Sequence, residues 1–477
     1  MFPLKAQYPL TFPKSQGEFR EITSPNDLST ITRVQFGTEA DAEKILARIP
    51  AAQAKMRSLS SGDKIRILRG VAGEIGRHTD QLALLVAREG GKPLKDARAE
   101  VVRARDTIEL CAEECWRIHG ETIPMDRTDA GKGHLAFTTR EPIGPVLAIS
   151  AFNHPLNNLA HQVGPALAAG NAVVLKPASG TPVMALVLEE MFLKAGLPPE
   201  CLTVFVASAD VVEKLVTSPA FAFVSFIGSA RVGWELRRKI APGTRIMMEH
   251  GGIAPAILRE DADLREAIPA LLRSSFYHAG QVCISTQRIF AHRSVYEVFK
   301  NEFVGRVKKL KTGTAMDDTT DVGPLIRPEE VTRIQKEIED AVGLGAKLLS
   351  GNEVKGNKGQ FLTPTVLADV PREASLMSRE IFGPVVCLNS YEDEDELVSY
   401  LNTTPFPFEA CVFTRDVKAA LNLAQKVSTM TMVVNSHNAF RVDWMPFGAH
   451  GEGGLGMGGV KYAIDELTRI KQVILKL

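Results

Sequence analysis

The chain has 477 residues, 45% hydrophobic and 23% charged, with 56 basic residues balancing 56 acidic ones. This length suits about two to four domains, and a composition so near the globular average excludes disordered, collagenous and disulfide-framework proteins. Zero net charge removes the positive field that nucleic-acid binders need and the case for a polybasic membrane surface.

The first third reads as helical. Thr38-Glu-Ala-Asp41 has the form of a capping box, and Ala-Glu-Lys-Ile-Leu-Ala-Arg-Ile follows with apolar residues at helical spacing. A second start at Ser60 or Ser61 opens a run to Gly90-Gly91, where Pro93 prevents simple continuation, and a third run covers roughly 94–119. The opening Met-Phe-Pro-Leu-Lys-Ala-Gln-Tyr has no apolar h-region or small-residue cleavage site, so no signal peptide is expected. From Pro142 to Leu175 no side chain is charged, a length that could cross a bilayer. Asn153, His154, Asn157, Asn158, His161 and Gln162 would be costly there, so a buried core is expected instead.

Six cysteines at 111, 115, 201, 283, 387 and 411 suit a reduced cytoplasmic enzyme. Cys111 and Cys115, one helical turn apart, read as two small hydrophobes on one face. With no H-E-x-x-H and no C-x-x-C, no metal site is expected.

After Arg140 short apolar runs alternate with helical segments. Strands are expected at 146–150, 172–176, 202–207 and 221–227, with helices near 158–169, 181–195, 211–217 and 230–240. This alternation implies an α/β fold with a doubly wound parallel sheet, whose ligands collect at the carboxyl ends of the strands. It resumes after about residue 255, suggesting a second α/β domain. The final Val473-Ile-Leu-Lys-Leu reads as a strand able to pair outside its own domain.

The strand ends carry the chemistry. Strand 146–150 leads into Asn153-His-Pro-Leu-Asn157, where an amide could stabilise an oxyanion or simply build the turn. The next closes on Lys176-Pro-Ala-Ser179, whose lysine could meet a ribose or phosphate oxygen or snorkel to the surface. Phe226-Ile-Gly228-Ser229-Ala-Arg-Val232-Gly233 puts glycine before a helix, where backbone N–H groups can approach a phosphate. Its Gly-x4-Gly spacing departs from G-x-G-x-x-G. Glu249 ends a fifth apolar run and could be a general base or an ion-pair partner. Cys283, in Gly280-Gln-Val-Cys283-Ile-Ser285, could be a nucleophile or a structural thiol.

Amide, lysine, glycine turn, glutamate and cysteine are followed by Glu380-Ile-Phe382-Gly-Pro and by the segment from Asn435 to Gly459. This ordered series, over nearly the whole chain, resembles the aldehyde dehydrogenase superfamily. Gly280-Gln-Val-Cys283 matches its cysteine motif and Glu249-His-Gly-Gly its glutamate motif. The resemblance implies an aldehyde dehydrogenase-like fold with two doubly wound domains and a β-arm that builds dimers or tetramers. Residues 1–121 and 141–250 would bind the cofactor, 251–438 would form the catalytic domain, 439–462 a return segment, and 122–140 with 463–477 the arm. It further implies that Cys283 attacks an aldehyde, that Asn153 and the Cys283 N–H hold the oxyanion, and that Glu249 activates the hydrolytic water.

By the same resemblance Lys176, Ser179, Phe226, Gly228, Ser229 and Val232 would hold the adenosine and diphosphate of NAD or NADP, Glu380 and Phe382 the nicotinamide ribose and ring, and Ile149 and Ser150 would also bind the cofactor. Many NAD-preferring relatives carry glutamate where Ser179 stands; serine removes its repulsion of a 2′-phosphate, so NADP should be accepted. His250 replaces the usual leucine, Ile253 a common lysine or asparagine, and His154 the usual aromatic. Pro446-Phe-Gly-Ala-His-Gly-Glu departs from the family's Pro-Phe-Gly-Gly with a following lysine. Phe440-Arg441-Val-Asp-Trp444 resembles the lactaldehyde, succinate-semialdehyde and non-phosphorylating glyceraldehyde-3-phosphate branches, where Arg441 could meet an anionic or hydroxylated tail or anchor the loop. Asn-His-Pro-Leu-Asn is similar to phosphonoacetaldehyde dehydrogenases, which adds His154 as a substrate contact. Val282 stands where phosphate-using relatives often carry arginine, which favours a non-phosphorylated aldehyde. The alternatives are a CoA-acylating relative, which typically lacks the glutamate, a non-catalytic nucleotide-binding scaffold, and a cysteine hydrolase, which leaves the cofactor motifs unexplained.

Overall fold

Strands and helices alternate from Val146 onward as the apolar periodicity requires, and two parallel sheets result. The computed structural model describes residues 4–356 and 358–477. In the first sheet the parallel strands Val146–Ile149, Val173–Lys176, Leu202–Val204, Phe223–Ile227 and Arg245–Glu249 lie in the order fifth, fourth, first, second, third. Gly454–Leu455 adds an antiparallel edge against Met248 and Glu249. Strand order reverses between Val146–Ile149 and Phe223–Ile227, the place where doubly wound sheets bind ligands. The helices Asn157–Ala168, Val183–Lys194, Ala209–Val216 and Ala230–Lys239 fall within two residues of their expected limits.

The uncharged segment is buried as expected. Gln162 Nε2 donates to Ile149 O at 3.2 Å and to Ser225 O at 3.1 Å, tying the helix to two neighbouring strands. No helix among the described residues is long and apolar enough to cross a membrane.

The second sheet runs Lys347–Ser350, Thr365–Ala368, Val385–Tyr391, Arg288–His292, Pro255–Leu258, Glu409–Phe413, Thr431–Val434, parallel except for the first strand. Its core, from Ala256 to Val427, is separate from that of the first sheet. The C-terminal strand Thr468–Lys476 pairs antiparallel with His134–Pro142, which also holds Thr122–Ile123. Ile470, Ile474, Leu475 and Leu477 of this small sheet are exposed.

Two expectations for the first third need correction. Three strands, Gln7–Tyr8, Phe19–Thr23 and Thr30–Gln35, precede the first helix. Buried Val34 and Phe36 anchor them in the core, and Gly37 N–H donates to Val206 O at 2.8 Å. The run from Ser61 to Gly90 is two helices, Ser61–Arg77 and Thr79–Gly90, because His78 leaves helical geometry at φ −116°, ψ 21°. The capping box at Thr38 forms, with Thr38 N–H on Asp41 Oδ2 at 2.9 Å and Asp41 N–H on Thr38 Oγ1 at 3.3 Å.

Candidate active site

Register places four strand ends of the first sheet side by side: Ile149 lies opposite both Lys176 and Phe226, and Ile227 opposite Glu249. Ser150 N–H donates to Lys176 O at 3.0 Å, while its hydroxyl is buried without a partner. Burial holds the Lys176 ammonium below its usual pKa, and no carboxylate offsets this. Phe226 packs beneath the turn so closely that a Cβ on Gly228 would sit 2.7 Å from its ring. Exposed Ser229 precedes the helix Ala230–Lys239 without capping it, leaving that N-terminus open to an anion, with Val232 half-buried on the first turn. Ser179 is exposed in the turn after Lys176. His250 fills the space behind this turn: its Nδ1 is 3.1 Å from Gly228 O, and a Cβ on Gly233 would lie 2.0 Å from its Cε1.

Cys283 arrives on a strained loop. His278 and Ala279 have φ of 49° and 54°, followed by Gly280 at 70°, a conformation that side chains adopt only when their surroundings enforce it. The enforcing contact is close: a Cβ on Gly280 would lie 2.1 Å from Gly383 O. Gln281 pins the loop, accepting from Ile326 N–H at 2.9 Å, and its carbonyl accepts from Asn153 Nδ2 at 3.1 Å. One hydrogen of the Asn153 amide is therefore spent on the cysteine loop and the second is left beside it. Cys283 O accepts from Gly252 N–H at 3.1 Å, so the cysteine and glutamate segments are laced together.

Carboxylates surround the thiol. Burial raises the Cys283 pKa well above its usual value, and Glu380, Glu249 and Glu409 raise it further while Arg441 opposes them. Burial lifts Glu249 to about 7, again against Arg441, and Glu380 to about 8 against Arg333. Glycines make room for both acids: a Cβ on Gly458 would lie 2.3 Å from Glu249 Oε1, and one on Gly251 1.7 Å from Glu380 Oε1. Phe382, at φ 53°, meets Phe152 edge-on at 5.8 Å. The Arg441 guanidinium lies 3.6 Å over the Phe447 ring, with Nε 3.9 Å from Asp443 and a buried Nη1 that has no partner.

Residues 12–473 match the aldehyde dehydrogenase family. The chain belongs to the aldehyde dehydrogenase family. It is similar to the 3-sulfolactaldehyde dehydrogenase of Priestia aryabhattai, at 36% identity over 97% of this chain and 96% of that one. Among solved structures it resembles aldehyde dehydrogenase 21 of Physcomitrella patens in complex with the reaction product succinate (TM-score 0.95, 34% identity, 98% of each chain). It also resembles the glyceraldehyde-3-phosphate dehydrogenase GapN of Methanocaldococcus jannaschii complexed with NADP (TM-score 0.92, 34% identity, 97% of this chain and 100% of that one). The protein is an NAD(P)-dependent aldehyde oxidoreductase with the aldehyde dehydrogenase fold.

Several residues that sequence reasoning missed support this aldehyde dehydrogenase site. Lys92 and Glu100, both fully buried, form an ion pair, and Lys92 Nζ also lies 2.8 Å from His154 Nδ1. Glu100 Oε1 accepts from the N–H groups of Leu156 and Asn157 at 2.9 and 3.2 Å, supplying the cap that the helix Asn157–Ala168 lacks in its own sequence. The turn carrying Asn153 is thus held from outside. Burial, with Lys92 adding to it, lowers the His154 pKa to about 4, so its ring is neutral and its Nδ1 is committed to Lys92. Asp443 anchors Arg441's segment by accepting from Arg103 at 2.6 and 3.2 Å and by a 2.9 Å contact with His161 Nε2. Arg103 and Asp443 are far apart in sequence among many ordinary surface charges, and nothing local marks them.

Proposed function

We propose that this enzyme oxidises a small hydroxylated or anionic aldehyde to its carboxylic acid, with Cys283 as nucleophile, Asn153 as oxyanion donor and Glu249 as general base. The observation that carries this reading is the joining of Asn153 Nδ2 to the Cys283 loop beside a Glu249 carboxyl that has no ion-pair partner among the described residues and a pKa of about 7.

The strand ends fit a dinucleotide. The buried, unpartnered Ser150 Oγ and Glu380 Oε1, the unpaired Lys176 and the uncapped helix at Ser229 are the groups a phosphate and ribose would satisfy. Ile149, Phe226, Gly228 and Val232 would line it, and Phe382 would back the nicotinamide. When bound, the dinucleotide supplies a hydride acceptor for the aldehyde carbon. Ser179 offers no charge against a 2′-phosphate, which supports use of NADP.

The Cys283 thiol keeps its proton at neutral pH, since burial and the surrounding carboxylates disfavour the thiolate. Glu249 is suited to take that proton as Sγ attacks the carbonyl. The free hydrogen of Asn153 Nδ2 and the Cys283 N–H, which donates to no described backbone group, would stabilise the oxyanion. After passing that proton to solvent, Glu249 would deprotonate the water that hydrolyses the Cys283 thioester, releasing the carboxylic acid and returning the thiol. Arg441, with its buried free Nη1, would meet an anionic or hydroxylated tail, with His154 Nε2 as a second contact. Residues 122–140 and 463–477 would form the oligomerisation arm of a homodimer or homotetramer in the cytoplasm, joined to a cofactor domain of 1–121 and 141–250, a catalytic domain of 251–438 and a return segment of 439–462.

A panel of uncharged, hydroxylated and anionic aldehydes, assayed for NADPH and NADH with and without CoA, tests the proposal. Carboxylate production without CoA is the expected result. Acyl-CoA formation, or no turnover of any aldehyde, would overturn it. A kcat/KM for NAD at least tenfold above that for NADP would overturn the cofactor assignment.

A further inference from the structure

Glu409 is a carboxylate for which the mechanism above has no use. It opens the strand Glu409–Phe413, at the point where strand order in the second sheet reverses beside Pro255–Leu258. It is 2% exposed, and both of its oxygens are buried without a hydrogen-bond partner. Its backbone carbonyl is held by Asn438 Nδ2 at 3.5 Å, and the same amide donates to Pro255 O at 3.0 Å. Its neighbour Phe408 packs on the site itself. A Cβ on Gly252 would lie 2.7 Å from Phe408 Cβ and 3.5 Å from Cys283 O, and the Phe408 and Phe447 rings are 5.0 Å apart. Phe447 in turn carries Arg441 on its face.

Two facts make this arrangement informative. A buried carboxyl without partners is destabilising, so such groups in folded proteins are usually satisfied by something. The nearby cation does not satisfy it: among the described residues Arg441 reaches only Asp443 within ion-pair distance, and its own Nη1 is also buried and unpartnered. The Arg441 Nη1 donor and the Glu409 carboxyl are thus left open beside one nucleophile. Burial raises the Glu409 pKa to about 8 against Arg441, so the group holds its proton at neutral pH until a cationic or donor group on a ligand draws it into the ionised, accepting form. Glu409 and Arg441 do act on the same thiol, since Glu409 raises the Cys283 pKa and Arg441 lowers it.

We propose that Glu409 is a specificity-determining residue that accepts a hydrogen bond from a hydroxyl or ammonium group on the aldehyde's chain, while Arg441 takes an acceptor or anionic end. This rests on the aldehyde-oxidation reading and adds the polarity of the substrate: the site is bipolar, built for a chain bearing both a donor and an acceptor. A plain alkyl aldehyde would leave the Glu409 oxygens unpaired and so be disfavoured.

Matched pairs test it in the full-length enzyme with saturating NADP: lactaldehyde against propanal for the hydroxyl, and 3-aminopropanal against butanal for the ammonium. The readout is the ratio of kcat/KM within each pair, which a general loss of packing would not move. The wild type should favour the donor-bearing member of at least one pair, and Glu409→Ala should cut that preference at least tenfold. Glu409→Gln keeps an acceptor without the charge, so it should retain a hydroxyl preference and lose an ammonium preference. Glu409→Met repeats the test at similar volume should alanine prevent folding. No preference in the wild type, or ratios unchanged by alanine and methionine, would overturn the proposal. Failure to oxidise any aldehyde, plain ones included, would instead sink the parent reading.

Discussion

The two sheets meet at the site with opposite ends. The first presents the carboxyl ends of its strands, at Ile149, Lys176, Ile227 and Glu249. The second presents the segments just before its strands begin: Gly251 and Gly252 before Pro255, Cys283 before Arg288, Glu380 before Val385, and Glu409 at the first position of its own strand. The first side offers amides, a lysine and an open helix N-terminus, groups suited to phosphate and to a developing oxyanion. The second offers a thiol among buried acids on a backbone forced into left-handed geometry at His278, Ala279 and Phe382. A parallel sheet prepares its carboxyl end for ligands through helix N-termini. Its other end gains function only where loops are strained into place.

Breaking the second side should cost most. Cys283→Ala is expected to lower kcat about 10⁴-fold or more by removing the nucleophile, with dinucleotide affinity measured by fluorescence titration within about threefold of wild type. Lost affinity of comparable size would mean that the two edges do not divide the work.

Glu249 stands on the first sheet and serves the second. Its carboxyl is raised to about 7 by burial, so it holds a proton below that pH and becomes a base above it. Turnover should therefore rise with pH through about 7. Glu249→Gln should lower kcat about 10²–10⁴-fold and flatten that limb, with both acyl-enzyme formation and its hydrolysis slowed in single-turnover measurements. An unchanged pH limb would assign the titration elsewhere.

Asn153→Ala should lower kcat about 10²–10³-fold, the usual scale for one oxyanion donor. Its effect on KM should be small, since the amide is needed most as charge develops. A change confined to KM would make Asn153 a substrate anchor or a turn residue.

Arg441→Ala should raise KM for an anionic aldehyde about 10–100-fold, the scale of a charge-assisted contact, and far less for an uncharged one. Because Arg441 opposes the rise in the Glu249 pKa, its loss should also move the midpoint of the pH–rate limb upward. Equal KM effects on both aldehydes would remove it from recognition, whatever happened to the pH limb.

The smallest effect belongs to the cofactor edge. Ser179→Glu should lower kcat/KM for NADP roughly tenfold relative to NAD, through repulsion of the 2′-phosphate by a carboxylate in an exposed turn. An unchanged NADP-to-NAD ratio would show that the adenosine end does not reach this turn.

Much of the first side was legible in the sequence. Alternating runs with a period near 3.6 between short apolar strands placed Asn153, Lys176, Gly228 and Glu249 at strand ends, because local periodicity and turn residues decide where such strands stop. The ordered motifs also marked Cys283 and Glu380 as site residues, though not the edge they would share. What the sequence left open was everything that depends on long-range approach. Thr30–Gln35 is a strand because Val34 and Phe36 find the core, and the helical periodicity after it hid that. Lys92 looks like an ordinary turn charge and Glu100 like an ordinary helix charge until folding buries them together beside His154 and gives Glu100 a helix N-terminus to cap. Glu409 reads as a polar residue in an apolar strand, and nothing near it in sequence says that its carboxyl will be buried within electrostatic reach of Arg441 and Cys283. The chain determined its strand ends and the motifs that carry Cys283 and Glu249, because those follow from neighbours in sequence. Tertiary structure alone decided their protonation and their partners, because pKa values and hydrogen bonds follow from burial and from groups brought together across the two sheets.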